Sequence, residues 1–141
     1  MARIANSTRH RGLATVEMAL VGSLLMVLTL GAAEYGWMFW KIQQTNNAAR
    51  NGARVGARAG ATYTNAEQAV INTMTASGIA SGKYHYTIPP TLATMPPGTA
   101  FRVQVQLDYG VAGGVRMFRG MALVPVLNTL SCEVWMVKEG P

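Results

Sequence analysis
Residues 11–40 read RGLATVEMALVGSLLMVLTLGAAEYGWMFW. From Met18 to Ala33 no residue carries a charge, and Glu17 and Glu34 stand at the two ends of that run. A helix from Leu13 to Trp40, rising ~1.5 Å per residue, would be roughly 42 Å long. That crosses a hydrocarbon core of about 30 Å with some tilt. Trp37, Phe39 and Trp40 close the stretch with rings suited to a membrane interface. The stretch therefore predicts a transmembrane segment over 13–40, preceded by a polar, basic leader over 1–12.

With the span set aside, about a hundred of the 141 residues remain, enough for one small domain. The net charge is +6. Arg3, Arg9 and Arg11 precede the span. After it, Lys41, Arg50, Arg54, Arg58, Lys83, Arg102, Arg116, Arg119 and Lys138 outweigh Glu67, Asp108, Glu133 and Glu139. A basic surface suits anionic lipid, nucleic acid or acidic partners, and composition does not choose among them. The single cysteine, Cys132, excludes an internal disulfide. Positive charge flanks both ends of the span, so the positive-inside count is nearly tied; Arg9 and Arg11 lie closer and lean towards an inside N-terminus.

Three processing fates fit the leader. A secretory signal peptide would end at Gly31-Ala32-Ala33 and release a small secreted domain. An uncleaved anchor would keep the whole chain. A third cut lies between Gly12 and Leu13, where a glycine in an extended leader lets a protease approach the backbone closely. Glu17 has two readings. In the first turn of a membrane helix, an acid complements the helix dipole. Alternatively, a carboxylate at the bilayer edge is costly unless paired.

The order of basic leader, Gly12, Leu13-Ala14-Thr15-Val16 and then Glu17 resembles the type IV prepilin signal. The longer run VEMALVGSLLMVLTLGAAEYGWMFWKIQQTNNAARNGARVGAR resembles the TadE-like minor pseudopilin family of tight-adherence (Tad) pili. The likeness includes the acid-aromatic-glycine step Glu34-Tyr35-Gly36 and the segment ending at Arg54, and it covers residues 9–60. Met18 departs from it, since an aromatic is common there in relatives. The resemblance implies cleavage by a prepilin peptidase between Gly12 and Leu13. It implies a single-pass protein of the bacterial inner membrane with its head in the periplasm, and other pilin or pseudopilin subunits, the assembly machinery and membrane lipid as partners. Glu17 would then pair with the N-terminal ammonium of Leu13 on a neighbouring subunit and set axial register.

Beyond the span, residues 41–60 continue the helical pattern as its extracytoplasmic part. Arg50, Arg54 and Arg58 share one face. Gly52, Gly56 and Gly60 form a second stripe, and Ala49, Ala53 and Ala57 a third. Each interior glycine costs ~1 kcal/mol against alanine, while small residues permit close backbone approach. The segment should therefore pack tightly on a neighbour or on its own sheet. The arginines read as a solvated face, as partners for acids on another subunit, or as a nucleic-acid contact. Against the last, no stacking ring is interleaved among them.

Residues 61–141 read as an α+β head with a second helix and a three- or four-stranded antiparallel sheet. Thr64 with Glu67, or Asn65 with Gln68, predicts a capping box. Ala66, Ala69, Val70, Thr73, Met74 and Ser77 follow helical spacing, and Gly78 marks the stop. Tyr84, Tyr86 and Ile88 alternate as a strand that Pro89-Pro90 ends, and 91–99 reads as a loop. Phe101, Val103, Val105, Leu107 and Tyr109 alternate with polar neighbours, as do Leu130, Cys132, Val134 and Met136. Pro125 marks the start or edge of that last strand. Glycine-rich 110–120 reads as a mobile excursion or a partner-contacting loop. Trp135, on the polar side, is either capped by a loop or a contact residue.

No constellation for catalysis appears. His10 and His85 are isolated, no acid or cysteine set has metal-ligand spacing, and Gly113-Gly114 lacks the Lys-Ser/Thr of a phosphate loop. Cys132 reads as a small buried apolar residue. The expectation is a non-enzymatic protein without cofactor or metal. The rival class is a membrane-anchored binding module whose basic helix engages DNA or anionic lipid.

Overall fold
A computed structural model describes residues 7–110, 114–118 and 127–140. Arg3, Gly113, Arg119, Gly120, Pro125 and Val126 lie outside the described residues. The chain folds as α1 (Ser7–Ala57), α2 (Tyr63–Ala76), β1 (Tyr84–Thr87), β2 (Ala100–Asp108) and β3 (Thr129–Val137). This is the expected α+β layout, with three strands among the described residues.

Helix α1 runs through Gly12, where the sequence reading placed an extended leader. No proline interrupts Ser7–Ala57, and propagating a helix by one residue is cheap once it is nucleated. At the other end α1 stops at Ala57 rather than Gly60. Gly60, at φ 71°, takes the left-handed turn that follows. The last carbonyls find partners outside the helix. Lys138 Nζ donates to the oxygens of Gly56 (3.0 Å) and Ala61 (3.2 Å), and the Glu139 N–H donates to Ala57 O at 2.7 Å. The tail of β3 therefore caps α1.

Helix α2 starts differently from the expectation. Thr62, not Thr64 or Asn65, is the N-cap. Its hydroxyl accepts the Asn65 N–H at 3.4 Å, while Asn65 Oδ1 accepts the Thr62 N–H at 2.9 Å. Thr62 is extended (φ −101°, ψ 168°), the geometry a cap requires. Glu67 is thereby released to accept the Tyr86 hydroxyl at 2.5 Å. The C-terminus matches the reading. Gly78 has φ 70°, the Ile79 N–H reaches Met74 O at 3.0 Å and the Gly78 N–H reaches Thr75 O at 2.9 Å. This is a Schellman stop, and both Met74 and Ile79 are buried.

The sheet has order β1-β2-β3, antiparallel throughout, with Tyr86 opposite Val105 and Val105 opposite Cys132. One face carries Tyr84, Phe101, Val103, Val105, Leu107 and Leu130 into the core. The other face is polar. The helices cover the inner face through Ala48, Ala49, Ala53 and Ala57 of α1 and Ala66, Val70 and Met74 of α2. The small stripes of α1 thus pack on the chain's own sheet and second helix. A methyl group on Gly52 would lie 2.5 Å from Val70 Cγ2, and one on Gly56 would lie 3.0 Å from Leu92 Cδ2. Close packing offsets the helix cost of these glycines. The 91–99 loop is pinned by Leu92, which is fully buried.

Candidate functional site
Three features of the fold have no explanation in the core. The first is the free part of α1. Leu13, Val16, Met18, Leu20, Val21, Leu24, Leu25, Met26, Val27 and Leu28 are all exposed. This is the one candidate span among the described residues, and none of its most apolar window is covered by the head. A helix apolar all round requires lipid or other helices around it. Its hydroxyls are satisfied within the helix: Ser23 donates to Leu20 O (2.9 Å) and Thr29 to Leu25 O (2.8 Å). That is the condition for polar groups in hydrocarbon. Gly12, Leu13 and Glu17 are exposed on this stretch. Glu17 lies roughly 50 Å along the axis from Arg50, so the structure does not bring these residues together.

The second feature is a buried carboxylate that sequence reasoning missed. Glu34 is only 2% exposed. Its Oε1 accepts the Tyr109 hydroxyl at 2.9 Å and Arg116 Nε at 3.0 Å, and its Oε2 accepts the Phe118 N–H at 3.1 Å. One turn on, the Trp37 indole N–H donates to Val115 O at 2.8 Å. Segment 114–118 is therefore gripped against α1, where the sequence suggested a mobile excursion or a partner loop. Gly114 makes the approach possible: a methyl group there would collide with the Tyr109 and Asp108 carbonyl oxygens. Burial, and then the hydrogen bond to Glu34, push the Tyr109 phenol well above its usual range. Just past the clamp, Lys41 is buried under Trp37 and Trp40, 5.0 and 4.5 Å from the ring centres, and donates to Gln44 Oε1 at 3.0 Å. An acid beside an uncharged run is the only local signal of the clamp; its three donors lie some eighty residues away.

The third feature is the arginine ridge. Arg50, Arg54 and Arg58 are exposed. Arg50 and Arg54, with Asn47, Asn51, Val134 and Met136, line an open groove of about 480 Å³ between α1 and β3. A smaller depression of about 190 Å³ continues it past Arg58 and Glu139. Trp135 is 61% exposed on the opposite, polar face of the sheet. It is held by a 2.6 Å hydrogen bond to Glu133 and lies 6.0 Å from the Arg102 guanidinium. The structure brings the three arginines together and separates Trp135 from them.

The remaining chemistry-bearing groups are plain. Cys132 is half-buried, its thiol pushed up by burial and 3.7 Å from Ile42 O. His85 is exposed, 3.7 Å from Asp108. Among the described residues no three His, Cys, Asp or Glu side chains are placed to hold a metal ion.

Residues 12–54 match the TadE-like protein family. The match spans the free helix, the Glu34 position and the first two arginines, and ends within α1, before α2 and the sheet. No curated protein and no solved structure matches the chain. The family is one of Tad pilus-associated membrane proteins, and the single N-terminal apolar helix suits single-pass anchoring.

Proposed function
We propose that this chain is a minor pseudopilin: a subunit of a Tad-type pilus held by α1 in the bacterial inner membrane, with its head in the periplasm. The observation that carries the reading is the division of α1 within the family-matched segment. Leu13–Ala33 is apolar and largely uncovered, and the head begins at Glu34. The uncovered length is roughly 31 Å, close to a hydrocarbon thickness of about 30 Å. The clamp on Glu34 and Trp37 favours a span that ends near Ala33, shorter than the 13–40 of the sequence reading.

In this reading a prepilin peptidase cuts between Gly12 and Leu13. The scissile bond lies in helical backbone, so cleavage requires the first turns of α1 to unwind. Gly12 lowers the cost of that, because glycine disfavours helix by ~1 kcal/mol. The new ammonium of Leu13 then pairs with Glu17 of a neighbouring subunit in the assembled bundle. Partner subunits, the assembly machinery and lipid are the expected contacts, and no catalysis is assigned.

The test is the mature N-terminus of protein purified from membranes of the native host. A chain starting at Leu13 supports the reading. A start at Glu34 would mean a secreted domain, and an intact start a plain anchor. Glu17→Ala should leave cleavage largely intact and reduce piliation; wild-type pilus levels in that variant would end the pairing idea.

A further inference from the structure
The two edges of the sheet differ. β1 is four residues long and runs out at Ile88-Pro89-Pro90, the usual ways of blunting an edge. β3 is nine residues long, without proline or lysine, and exposes Trp135 and Val137. Among the described residues no strand pairs with its second edge.

Which groups point outward follows from the register. The Lys138 N–H bonds to Thr99 O (2.9 Å) and the Tyr109 N–H to Asn128 O (2.8 Å). Both contacts fall on the register that pairs Cys132 with Val105. Even-numbered residues of β3 therefore exchange hydrogen bonds with β2, and the odd-numbered Thr129, Ser131, Glu133, Trp135 and Val137 turn their N–H and C=O groups to the free side.

Helix α1 runs beside this edge in the same direction. Ile42 O lies 3.7 Å from Cys132 Sγ at one end, and Ala57 O accepts the Glu139 N–H at the other. From Ile42 to Ala57 the helix rises ~22 Å, and from Cys132 to Glu139 the strand extends ~23 Å. Along that path the arginines repeat every fourth residue, ~6 Å of helix rise. Alternate residues of a strand repeat every ~6.7 Å. The two spacings nearly coincide over three positions.

We infer that the free edge of β3 and the arginine ridge together bind an extended segment of another protein, added as a fourth strand and carrying carboxylates at alternate positions. Its main chain pairs with the odd-numbered residues of β3. Its inward side chains enter the groove and meet Arg50, Arg54 and Arg58, and its outward side chains lie beside Trp135. Main-chain pairing supplies affinity, and the alternate side chains supply specificity. The inference does not depend on the pilus reading.

The experiment uses the full chain in detergent micelles at low salt. Three nine-residue peptides are titrated: one alternating glutamate with threonine and valine, one of the same composition with its glutamates in a block, and one alternating but N-methylated at every second amide. A short DNA duplex is the fourth probe. The alternating peptide should bind. The block peptide, the N-methylated peptide and the Arg50→Ala/Arg54→Ala/Arg58→Ala variant should each bind at least about tenfold more weakly. Equal binding of the block or N-methylated peptide would overturn strand addition in favour of bare charge attraction. DNA binding as tight as the alternating peptide would do the same. No binding at millimolar peptide would overturn the inference outright. Because the three arginines are exposed, the variant should keep the wild-type circular dichroism spectrum, and that measurement separates lost binding from lost fold.

Discussion
The two halves of α1 share one backbone and solve opposite problems. From Leu13 to Thr29 every residue is exposed, the large apolar side chains all round the helix, and only at Leu30 and Gly31 does the surface begin to be covered. From Glu34 to Ala57 the helix turns Ala48, Ala49, Gly52, Ala53, Gly56 and Ala57 inward and arginines outward. The first half takes its stability from whatever replaces water around it. The second takes it from backbone-close packing on Val70, Val103 and Leu92. Helical periodicity alone does not separate the two. Side-chain size does, because only small residues allow an element to approach the helix axis.

The sharpest way to break this division is at the clamp on its boundary. Glu34→Ala removes the acceptor of Tyr109, Arg116 and Phe118 and should destabilise the head by about 3 kcal/mol or more, the usual loss when one member of a buried pair is deleted. Thermal unfolding in micelles, followed by near-ultraviolet circular dichroism, reads this out. A wild-type midpoint would mean that the clamp is not what joins 114–118 to α1. A charge in the free half should act on insertion instead. Leu25→Asp should disfavour the membrane-inserted state by roughly 3 kcal/mol and leave head unfolding in micelles unchanged. Membrane fractionation checks the first effect.

A matched pair of glycine substitutions sharpens the comparison further. Gly52→Ala forces a methyl group against Val70 and should cost about 1–3 kcal/mol through overpacking. Gly22→Ala meets nothing within 4 Å and should be neutral or favour the helix by up to ~1 kcal/mol. The same sign at both sites would remove the distinction between the halves.

The smallest effect is a pH dependence confined to the head. The hydrogen bond to Glu67 and burial hold the Tyr86 phenol up to about 12, from an ordinary value of 10.0. A raised folded-state value means that the protonated form is the one the fold favours. Its stabilisation is fully present below pH 10 and lost as pH rises through about 12. Tyr109 adds to this in the same direction. Tyr86→Phe should therefore flatten the alkaline decline in melting temperature, measured between pH 9 and about 12. An unchanged decline would leave the other groups that burial raises, Tyr84, Tyr109 and Cys132, as its source.

Much of this architecture is readable from local pattern. The uncharged run between Glu17 and Glu34, the strict alternation of Phe101–Tyr109 and Leu130–Met136, and Gly78 as a helix stop each depend on neighbours within a turn or a strand. The N-cap lies two or three residues before the Thr64 or Asn65 that the sequence suggests, because Thr62, Thr64 and Asn65 all have capping side chains. Only the chain path out of Gly60 decides which of them is extended.

The candidate sites divide along the same line. Spacing puts Arg50, Arg54 and Arg58 on one face, but not beside an open strand edge. Trp135 alternates onto the polar side, but nothing local says that this side faces away from the arginines. The burial of Leu92 leaves no local trace and that of Glu34 only its place beside an uncharged run, since the partners of Glu34 are far away in sequence. By itself the sequence determined the elements, their faces and the apolar span, because periodicity and side-chain size act over a few residues. The tertiary structure alone decided which carboxylate is buried, where the head grips the helix and which sheet edge is left unpaired among the described residues. Those outcomes depend on contacts that exist only after distant segments have been brought together.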